Sequence, residues 1–245
     1  MEVFITVVVL LSCAILGYLL GSISNGIIIG RLRTNTDIRD YGSHNAGGTN
    51  AGRVMGAKWG ILVIVLDMLK TVVAILTSYF VCRYSGIAQY TVFADNSTFL
   101  AELGYILASV GAVIGHSFPI FFHFKGGKCV ATYAGIILST SWLSSLLGIT
   151  VFFIILIWKK HVSLGSMIAS LSCVIFGIIY HFIPPEISNI FMNWSIPASW
   201  WYIGLLTLAT VYLWYRHKAN IIRLIHHEES IIDITKKFKK KKEEK

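Results

Sequence analysis

The sequence has few charged residues, and this scarcity already limits the kind of protein it encodes. Only 13% of its 245 residues are charged, whereas 55% are hydrophobic. Soluble domains carry about twice that share of charge, so the composition excludes an ordinary soluble globule, a disordered chain and a disulfide scaffold. Seven helices of about 20 residues would use about 140 positions and leave roughly 105 for loops and tails. The sequence therefore predicts an all-α, polytopic membrane protein.

Several familiar sequence patterns are also missing. The four cysteines are far apart and form no CxxC pair, so neither a zinc site nor a redox motif is indicated. Cys13 and Cys173 lie in apolar runs, where we expect them to pack inside the membrane. No internal repeat is evident. The net charge of +9 is not accompanied by a nucleic-acid-binding fold, and no nucleic-acid partner is expected.

Long apolar runs predict the spanning helices. The run at residues 3–30 has no basic residue ahead of it, which predicts a retained helix rather than a signal peptide. The stretch at residues 130–158 is long for one helix and short for two. Two short helices are favoured because small and polar residues interrupt its middle, and a single tilted helix is the alternative. The remaining runs are residues 59–82, 99–122, 164–183 and 198–215.

Basic residues predict the orientation of these spans. With seven spans and an inside C-terminus, 19 of the 21 Lys and Arg residues fall on the inner side. The positive-inside rule then predicts an outside N-terminus and a cytoplasmic C-terminus. We predict one membrane domain at residues 1–229 and a basic tail at residues 230–245. Such a tail is attracted to anionic lipid heads, although a partner-binding tail is the alternative.

Three polar segments fall on the predicted inner side, and the first is glycine-rich. Glycine lets backbone N–H groups approach an anion closely, and an arginine can hold a phosphate through two parallel hydrogen bonds. The alternative is a flexible connecting loop, although more than 20 residues is long for one. The candidate phosphate-binding residues in this segment are Gly42, Ser43, Asn45, Thr49, Asn50 and Arg53.

The second polar segment, residues 124–132, contains a Gly-Gly-Lys sequence before a predicted helix. Gly126, Gly127 and Lys128 suit a phosphate cradle because a helix N-terminus offers unpaired N–H groups and a favourable dipole. A Walker A loop is excluded, since Phe122 stands where that motif needs its first glycine. The alternative is a tight turn with lysines reaching the membrane surface.

The third polar segment, residues 216–229, places His217 and Asn220 on one helical face. A histidine changes charge near neutral pH, so His217 is a candidate general base. The alternative is a basic amphipathic helix at the membrane interface. Asp67 and Lys70 lie within an apolar run, where charge is costly; they are either a structural ion pair or part of the site. His116 is expected to orient the following loop.

Together these segments resemble the motifs of the bacterial acyl-phosphate:glycerol-3-phosphate acyltransferase family (PlsY). The family patterns GSGNIGATN, GHxxP with FxGGKGVAT, and HxxNIxRL appear here as GSHNAGGTN, GHSFP with FKGGKCVAT, and HKANIIRL. The first is followed by Arg53 and the third by Glu229, as in the family. The resemblance covers nearly the whole chain except the lysine tail. The chain departs from the patterns at Ser24 for proline, at Gly48 for alanine, and at His44, Cys129 and His227 for glycine.

The resemblance implies a reaction and assigns residues to it. An acyl phosphate would donate its acyl group to the 1-hydroxyl of glycerol 3-phosphate, giving lysophosphatidic acid and phosphate at the cytoplasmic side of a bacterial inner membrane. Neither a metal nor another cofactor is implied. Acyl phosphate, glycerol 3-phosphate and membrane lipid are the implied partners, and an acyl-phosphate synthase is a candidate partner. Ser43, Asn45, Arg53, Lys128, His217 and Asn220 are the implied catalytic residues, and Gly42, Thr49, Asn50, Gly126, Gly127, Thr132 and Glu229 the substrate-binding ones.

Two roles stay open and three other functions compete. Either His217 or a substrate phosphate oxygen takes the proton of the attacking hydroxyl, and Glu229 is expected to anchor the last motif through a basic partner. A transporter for a phosphorylated solute is disfavoured because transport sites lie near the bilayer midplane, often with repeat symmetry. An acyltransferase with a His-x4-Asp dyad is disfavoured because no His has an Asp five positions on. A catalytically silent lipid-binding scaffold is disfavoured by the intact basic residues.

Overall fold

Every regular element in the described part of the chain is helical. The computed structural model describes residues 1–183 and 199–232, and over these residues it confirms the all-α class. Three short 3-10 helices lie at Ile38–Asp40, Ile87–Tyr90 and Ile120–Phe122. The α-helices are α1 (Glu2–Gly21), α2 (Asn25–Thr34), α3 (Gly48–Met55), α4 (Ala57–Tyr84), α5 (Ser97–Ser117), α6 (Val130–Thr140), α7 (Trp142–Lys159), α8 (Val162–His181), α9 (Trp200–Arg216) and α10 (Lys218–Ile225).

Five helical segments within the described residues are long and apolar enough to cross a membrane. The 28 residues of α4 extend about 42 Å at 1.5 Å per residue, which exceeds a hydrocarbon core of about 30 Å. The apolar helix α6 has only 11 residues. The count of seven spans and the orientation of the termini stay predictions. The five segments are Glu2–Thr34, Ala57–Tyr84, Ser97–Phe122, Trp142–Lys159 and Val162–His181.

The chain divides into two compact units, Met1–Thr140 and Ser141–Lys245, which are described separately. The single domain at residues 1–229 stays a prediction. Most of the predicted basic tail, residues 233–245, lies outside the described residues, as do Pro184, Pro185 and Ala198 at the ends of two predicted spans.

In the first unit, α1 and α5 pack along a seam of glycines spaced four residues apart. A Cβ on Gly17 would lie 2.1 Å from the carbonyl oxygen of Ala108, and one on Gly111 would lie 2.2 Å from that of Ala14. Gly21 and Gly115 make similar approaches one turn further along the seam. Small residues let helix backbones come close in a membrane, where the lipid gives apolar side chains no drive to associate.

The apolar run predicted at residues 3–30 is divided by a break between α1 and α2. Ser24 adopts a non-helical conformation with φ −93° and ψ 89°. The break exposes the carbonyl of Ile23, which accepts a hydrogen bond from the buried Lys70 ammonium. It also orients Asn25, whose side-chain amide donates to Asp67 at 2.9 Å. Lys70 of α4 therefore binds the non-helical backbone of the break, and Asp67 of α4 binds the side chain of the first residue of α2.

The stretch at residues 130–158 forms two helices, as favoured from the sequence. Ser141 leaves the helical conformation with φ −151° and ψ 112°. Its hydroxyl accepts a hydrogen bond from the backbone N–H of Ser144 at 3.1 Å and so caps the start of α7. The small polar residues that predicted the interruption therefore form it.

In the second unit, polar groups on α8 and α9 bind each other within an apolar helix pair. The Trp214 indole N–H donates to the carbonyl of Met167 at 3.2 Å, and the Thr210 hydroxyl donates to that of Ser170 at 3.3 Å. Cys173 on α8 is buried, as is Cys13 in the first unit, in agreement with the packing role predicted for both.

Candidate active site

The glycine-rich loop before α3 is organised around the side chain of Asn50, which is almost fully buried. Its amide Nδ2 donates to the carbonyls of Ile38 at 2.7 Å and Asn45 at 2.9 Å. Its Oδ1 accepts from the backbone N–H of Ser43 at 2.7 Å. Gly42 has φ +64°, and a Cβ there would lie 2.4 Å from Asn50 Oδ1. Asn50 and Gly42 therefore shape the loop.

The other candidate residues of this loop are less buried than Asn50. Ser43, Asn45 and Thr49 are partly accessible, and Arg53 is exposed on α3. The Asn45 side chain accepts from the N–H of Gly47 at 3.0 Å, which fixes the turn into the helix. The loop and the first turns of α3 therefore carry two hydroxyl side chains, an amide and a guanidinium group that are at least partly accessible.

Arg39, which the sequence analysis did not assign, joins the first loop to the second. Its guanidinium pairs with Asp37 at 2.7 Å and lowers the pKa of that carboxyl to about 2. The same guanidinium donates to the carbonyls of Phe122 and Lys125, both at 2.9 Å. The two bonds from Arg39 to these carbonyls therefore hold the start of the first loop against the segment that leads into Gly126.

A cavity of about 350 Å³ lies where these two loops meet, and Lys125 and His44 contribute to its lining. Arg39 and Lys125 bring positive charge to this lining and Asp40 brings negative charge, while Arg39 is already paired with Asp37. Its lining residues are Arg39, Asp40, His44, Lys125 and Gly126.

The two glycines of the second loop already use their N–H groups. Gly126 donates to the carbonyl of Ser117 at 3.1 Å, and Gly127 donates to that of His116 at 2.9 Å. A Cβ on Gly126 would lie 2.0 Å from the His116 carbonyl oxygen. The expected phosphate cradle of backbone N–H groups is therefore not formed by these two residues, whose contacts hold the loop against α5.

Lys128 follows directly and is partly accessible two residues before α6. Thr132 is buried, and its hydroxyl donates to the carbonyl of Cys129 at 2.9 Å, so it belongs to the helix start rather than to an accessible surface. Cys129 has φ +66°, and its Sγ lies 2.8 Å from the Ser117 hydroxyl. That buried thiol points towards α5.

In the second unit, Glu229 gathers the polar residues of the third motif. Its Oε1 accepts from Ser163 at 2.8 Å and from Asn220 at 2.7 Å. Its Oε2 accepts from Arg223 at 2.8 Å, and this is the basic partner that the sequence analysis expected. Burial by itself raises the pKa of Glu229, but its three hydrogen bonds and the Arg223 charge outweigh burial and lower it.

His217 is buried at the junction of α9 and α10. Its Nδ1 lies 2.8 Å from the carbonyl oxygen of Leu213. A carbonyl only accepts, so Nδ1 carries the proton and Nε2 of the neutral ring is the basic nitrogen. The carbonyl of His217 accepts from the N–H of Asn220 at 2.8 Å, which fixes both residues in one turn.

Arg39 and Ser163 are thus the residues that sequence reasoning missed. Arg39 stands two residues after Asp37, a local signal for an ion pair, but its carbonyl partners are more than 80 residues away. Ser163 has no local signal, because Glu229 is 66 residues distant. Over the residues that the structure describes, no group of three or more His, Cys, Asp or Glu side chains is placed to hold a metal ion.

Comparisons with known proteins agree with the motifs. A family model described as glycerol-3-phosphate acyltransferase matches residues 11–227. The glycerol-3-phosphate acyltransferase of Bacillus subtilis (strain 168) is 37% identical over 215 residues, which cover 88% of this chain and 93% of that protein. The protein of the same name from Finegoldia magna is 35% identical over 221 residues, covering 90% and 95% of the two chains.

Two solved structures resemble the fold as well. The crystal structure of PlsY (YgiH), an integral membrane glycerol 3-phosphate acyltransferase, in its glycerol 3-phosphate form has a TM-score of 0.70 and 31% identity, covering 91% of this chain and 95% of that one. Its lysophosphatidic acid form has a TM-score of 0.68 and 30% identity, with the same coverage. With the family model matched over most of its length and relatives above 30% identity, the chain belongs to the glycerol-3-phosphate acyltransferase family of integral membrane enzymes of the PlsY type.

Proposed function

We propose that this acyltransferase uses an acyl phosphate as its donor and transfers the acyl group to the 1-hydroxyl of sn-glycerol 3-phosphate. The products are 1-acyl-glycerol 3-phosphate (lysophosphatidic acid) and phosphate, and the reaction takes place at the cytoplasmic side of a bacterial inner membrane. The observation that carries the proposal is the junction of two basic loops in the first unit, where Arg39 bonds to the carbonyls of Phe122 and Lys125.

The chemistry calls for such a junction because both substrates carry a phosphate. Two anions must be held near each other, and Arg53 and Lys128 supply positive charge on the two loops. An acyl phosphate is already activated, so the enzyme mainly aligns the hydroxyl and stabilises the oxyanion. Alignment contributes several kcal/mol, and one well-placed oxyanion donor contributes about 3 kcal/mol.

Within the first unit we assign two kinds of role. Lys128 binds glycerol 3-phosphate, and Ser43, Asn45, Thr49 and Arg53 surround the acyl phosphate and its departing phosphate. The remaining predicted residues shape these loops through the bonds described above. They are Gly42, Asn50, Gly126, Gly127 and Thr132.

Within the second unit, His217 and Asn220 are assigned to the attacking hydroxyl. The Nδ1 proton of His217 is held by the Leu213 carbonyl, which leaves Nε2 as the nitrogen that accepts a proton. A substrate phosphate oxygen is the competing acceptor. Glu229 orients Asn220 by accepting a hydrogen bond from its side-chain amide at 2.7 Å.

An acyl-transfer assay tests the donor. Purified protein in lipid is given labelled glycerol 3-phosphate with either palmitoyl phosphate or palmitoyl-CoA, without added metal. We expect lysophosphatidic acid from palmitoyl phosphate alone. Equal product from the coenzyme A ester would contradict the proposed donor.

A matched pair of arginine variants tests the site. Arg53→Ala should lower kcat/KM by about a hundredfold, as expected for the loss of a charged phosphate contact. Arg83→Ala, on the last turn of α4, is the control and should keep nearly full activity. Full activity of Arg53→Ala at normal expression would refute its assignment.

A further inference from the structure

The ammonium of Lys70 lies in a buried network of the first unit. Its Nζ is 2.9 Å from Asp67 Oδ1, and both side chains are at most 6% exposed. Buried charges are tolerated when they are paired and hydrogen-bonded. Asn25 also donates to Asp67, so the carboxylate has two partners. The Asp67–Lys70 ion pair predicted as one of two alternatives is present.

All three N–H groups of this ammonium have an acceptor. Beyond Asp67, Lys70 Nζ donates to the carbonyl of Ile23 and lies 3.2 Å from Nδ1 of His116. An ammonium has three donors and no acceptor. An ammonium donor requires Nδ1 of His116 to present its lone pair, and in the neutral ring the proton is then on Nε2.

The opposite edge of the same ring lies against the Gly-Gly-Lys loop. A Cβ on Gly127 would lie 2.1 Å from Nε2 of His116 and 2.8 Å from its Cε1. The N–H of Gly127 donates to the His116 carbonyl at 2.9 Å. The ring and the backbone of His116 thus both contact the residue directly before Lys128.

From this geometry we propose that His116 is a positioning residue, fixed as its Nε2-protonated tautomer by Lys70, and that it sets the conformation of the Gly126–Lys128 loop for glycerol 3-phosphate. The inference rests on the proposed role of Lys128 in binding this substrate. Asp67, Lys70 and His116 form a continuous connection from α4 through α5 to the loop. His116 itself touches neither the reacting atoms nor the transferred acyl group in this proposal.

The first arm of the test measures the tautomer directly. Protein labelled with 15N-histidine is reconstituted in lipid, and the two ring nitrogens of His116 are assigned by comparison with His116→Asn. We expect one resonance pair, with a protonated Nε2 and an unprotonated Nδ1. A protonated Nδ1, or a mixture of tautomers, would overturn the proposal, and this arm does not depend on any enzymatic activity.

The second arm measures binding of glycerol 3-phosphate by calorimetry in the absence of donor. His116→Asn should weaken binding by about tenfold, because a displaced loop misplaces Lys128, while the thermal midpoint falls little. His123→Asn is the matched control, since His123 is exposed in the neighbouring turn, and it should bind as the wild type does. Equal affinities of the two variants would overturn the proposal.

A variant of the ion pair separates positioning from folding. Lys70→Met alone leaves a buried carboxylate unpaired and is expected to fold poorly, so it is combined with Asp67→Asn. The folded double variant should lose the single tautomer and weaken glycerol 3-phosphate binding as His116→Asn does. If the double variant kept the single tautomer and the wild-type affinity for glycerol 3-phosphate, the connection through Lys70 would be contradicted.

The wild-type protein separates this proposal from the proposed function. If it shows the single tautomer but binds no glycerol 3-phosphate, the proposed function and the role of the loop in it are refuted, and only the Lys70–His116 contact remains.

Discussion

At the scale of single residues, positive backbone φ angles occur at three positions where the family pattern has glycine. His44, Cys129 and His227 have φ of 54°, 66° and 58°. The left-handed region costs a non-glycine residue about 1–2 kcal/mol. The loops have therefore kept a glycine-like backbone although the side chains have changed.

The exposed His227 gives the cleanest test of this strain. His227→Gly should raise the free energy of unfolding by about 0.5–1 kcal/mol, since relief of strain exceeds the added flexibility of the unfolded chain. His226→Gly is the matched control, because φ at this neighbouring position is −84°, and it should destabilise the protein. Thermal unfolding in detergent measures both. If His227→Gly lowered the thermal midpoint as His226→Gly does, that result would argue against backbone strain at His227.

Cys129 has a different balance between backbone and side chain. Its Sγ is buried and contacts Ser117, so a glycine would relieve strain but leave an empty volume in the core. Loss of buried atoms is destabilising. The thiol lies on the α5 side of the loop, where it contacts the Ser117 hydroxyl.

At the scale of secondary-structure elements, the close packing of α1 on α5 depends on glycine. A Cβ on Gly17 meets a backbone carbonyl oxygen, which cannot rotate away as a side chain can. The two helices would have to separate along their whole seam to accept it. One added methyl group at Gly17 would therefore disturb the packing of α1 and α5 over their full contact.

We expect Gly17→Ala to lower the free energy of unfolding by about 1–3 kcal/mol, the usual range for overpacking. Gly204→Ala on α9 is the control, since no atom lies within 4 Å of the added Cβ. There alanine should stabilise the helix by about 0.5–1 kcal/mol. Both are measured as thermal midpoints in the same detergent, and a stable Gly17→Ala protein would disprove the close approach.

At the scale of the whole molecule, the distribution of basic residues predicts how the chain lies in the membrane. Basic segments retained inside would put the C-terminus in the cytoplasm and the N-terminus outside. A protease-sensitive tag at the C-terminus should then be cleaved in inside-out vesicles and protected in right-side-out vesicles. A tag at the N-terminus should show the opposite pattern. The reverse result for either tag would contradict the predicted topology.

Local patterns made much of the helical architecture predictable. Apolar runs predicted the long helices because a segment that crosses lipid must satisfy its own backbone hydrogen bonds. Polar residues around Ser141 predicted the break between α6 and α7 because a hydroxyl competes for backbone N–H groups. The partner of the break between α1 and α2 was not predictable locally, since Lys70 binds the Ile23 carbonyl from 47 residues away.

The sequence by itself determined that the chain is helical, belongs in a membrane and carries the three motifs of its family, because composition and short spacings are local properties. Only the tertiary structure decided what the motif residues bond to. In the folded protein the N–H groups of Gly126 and Gly127 hold their own loop. Lys70 lies beside His116, and Arg39 lies beside Lys125. These partners are 46 and 86 residues apart, and their bonds form only once packing of the helices has brought distant segments together.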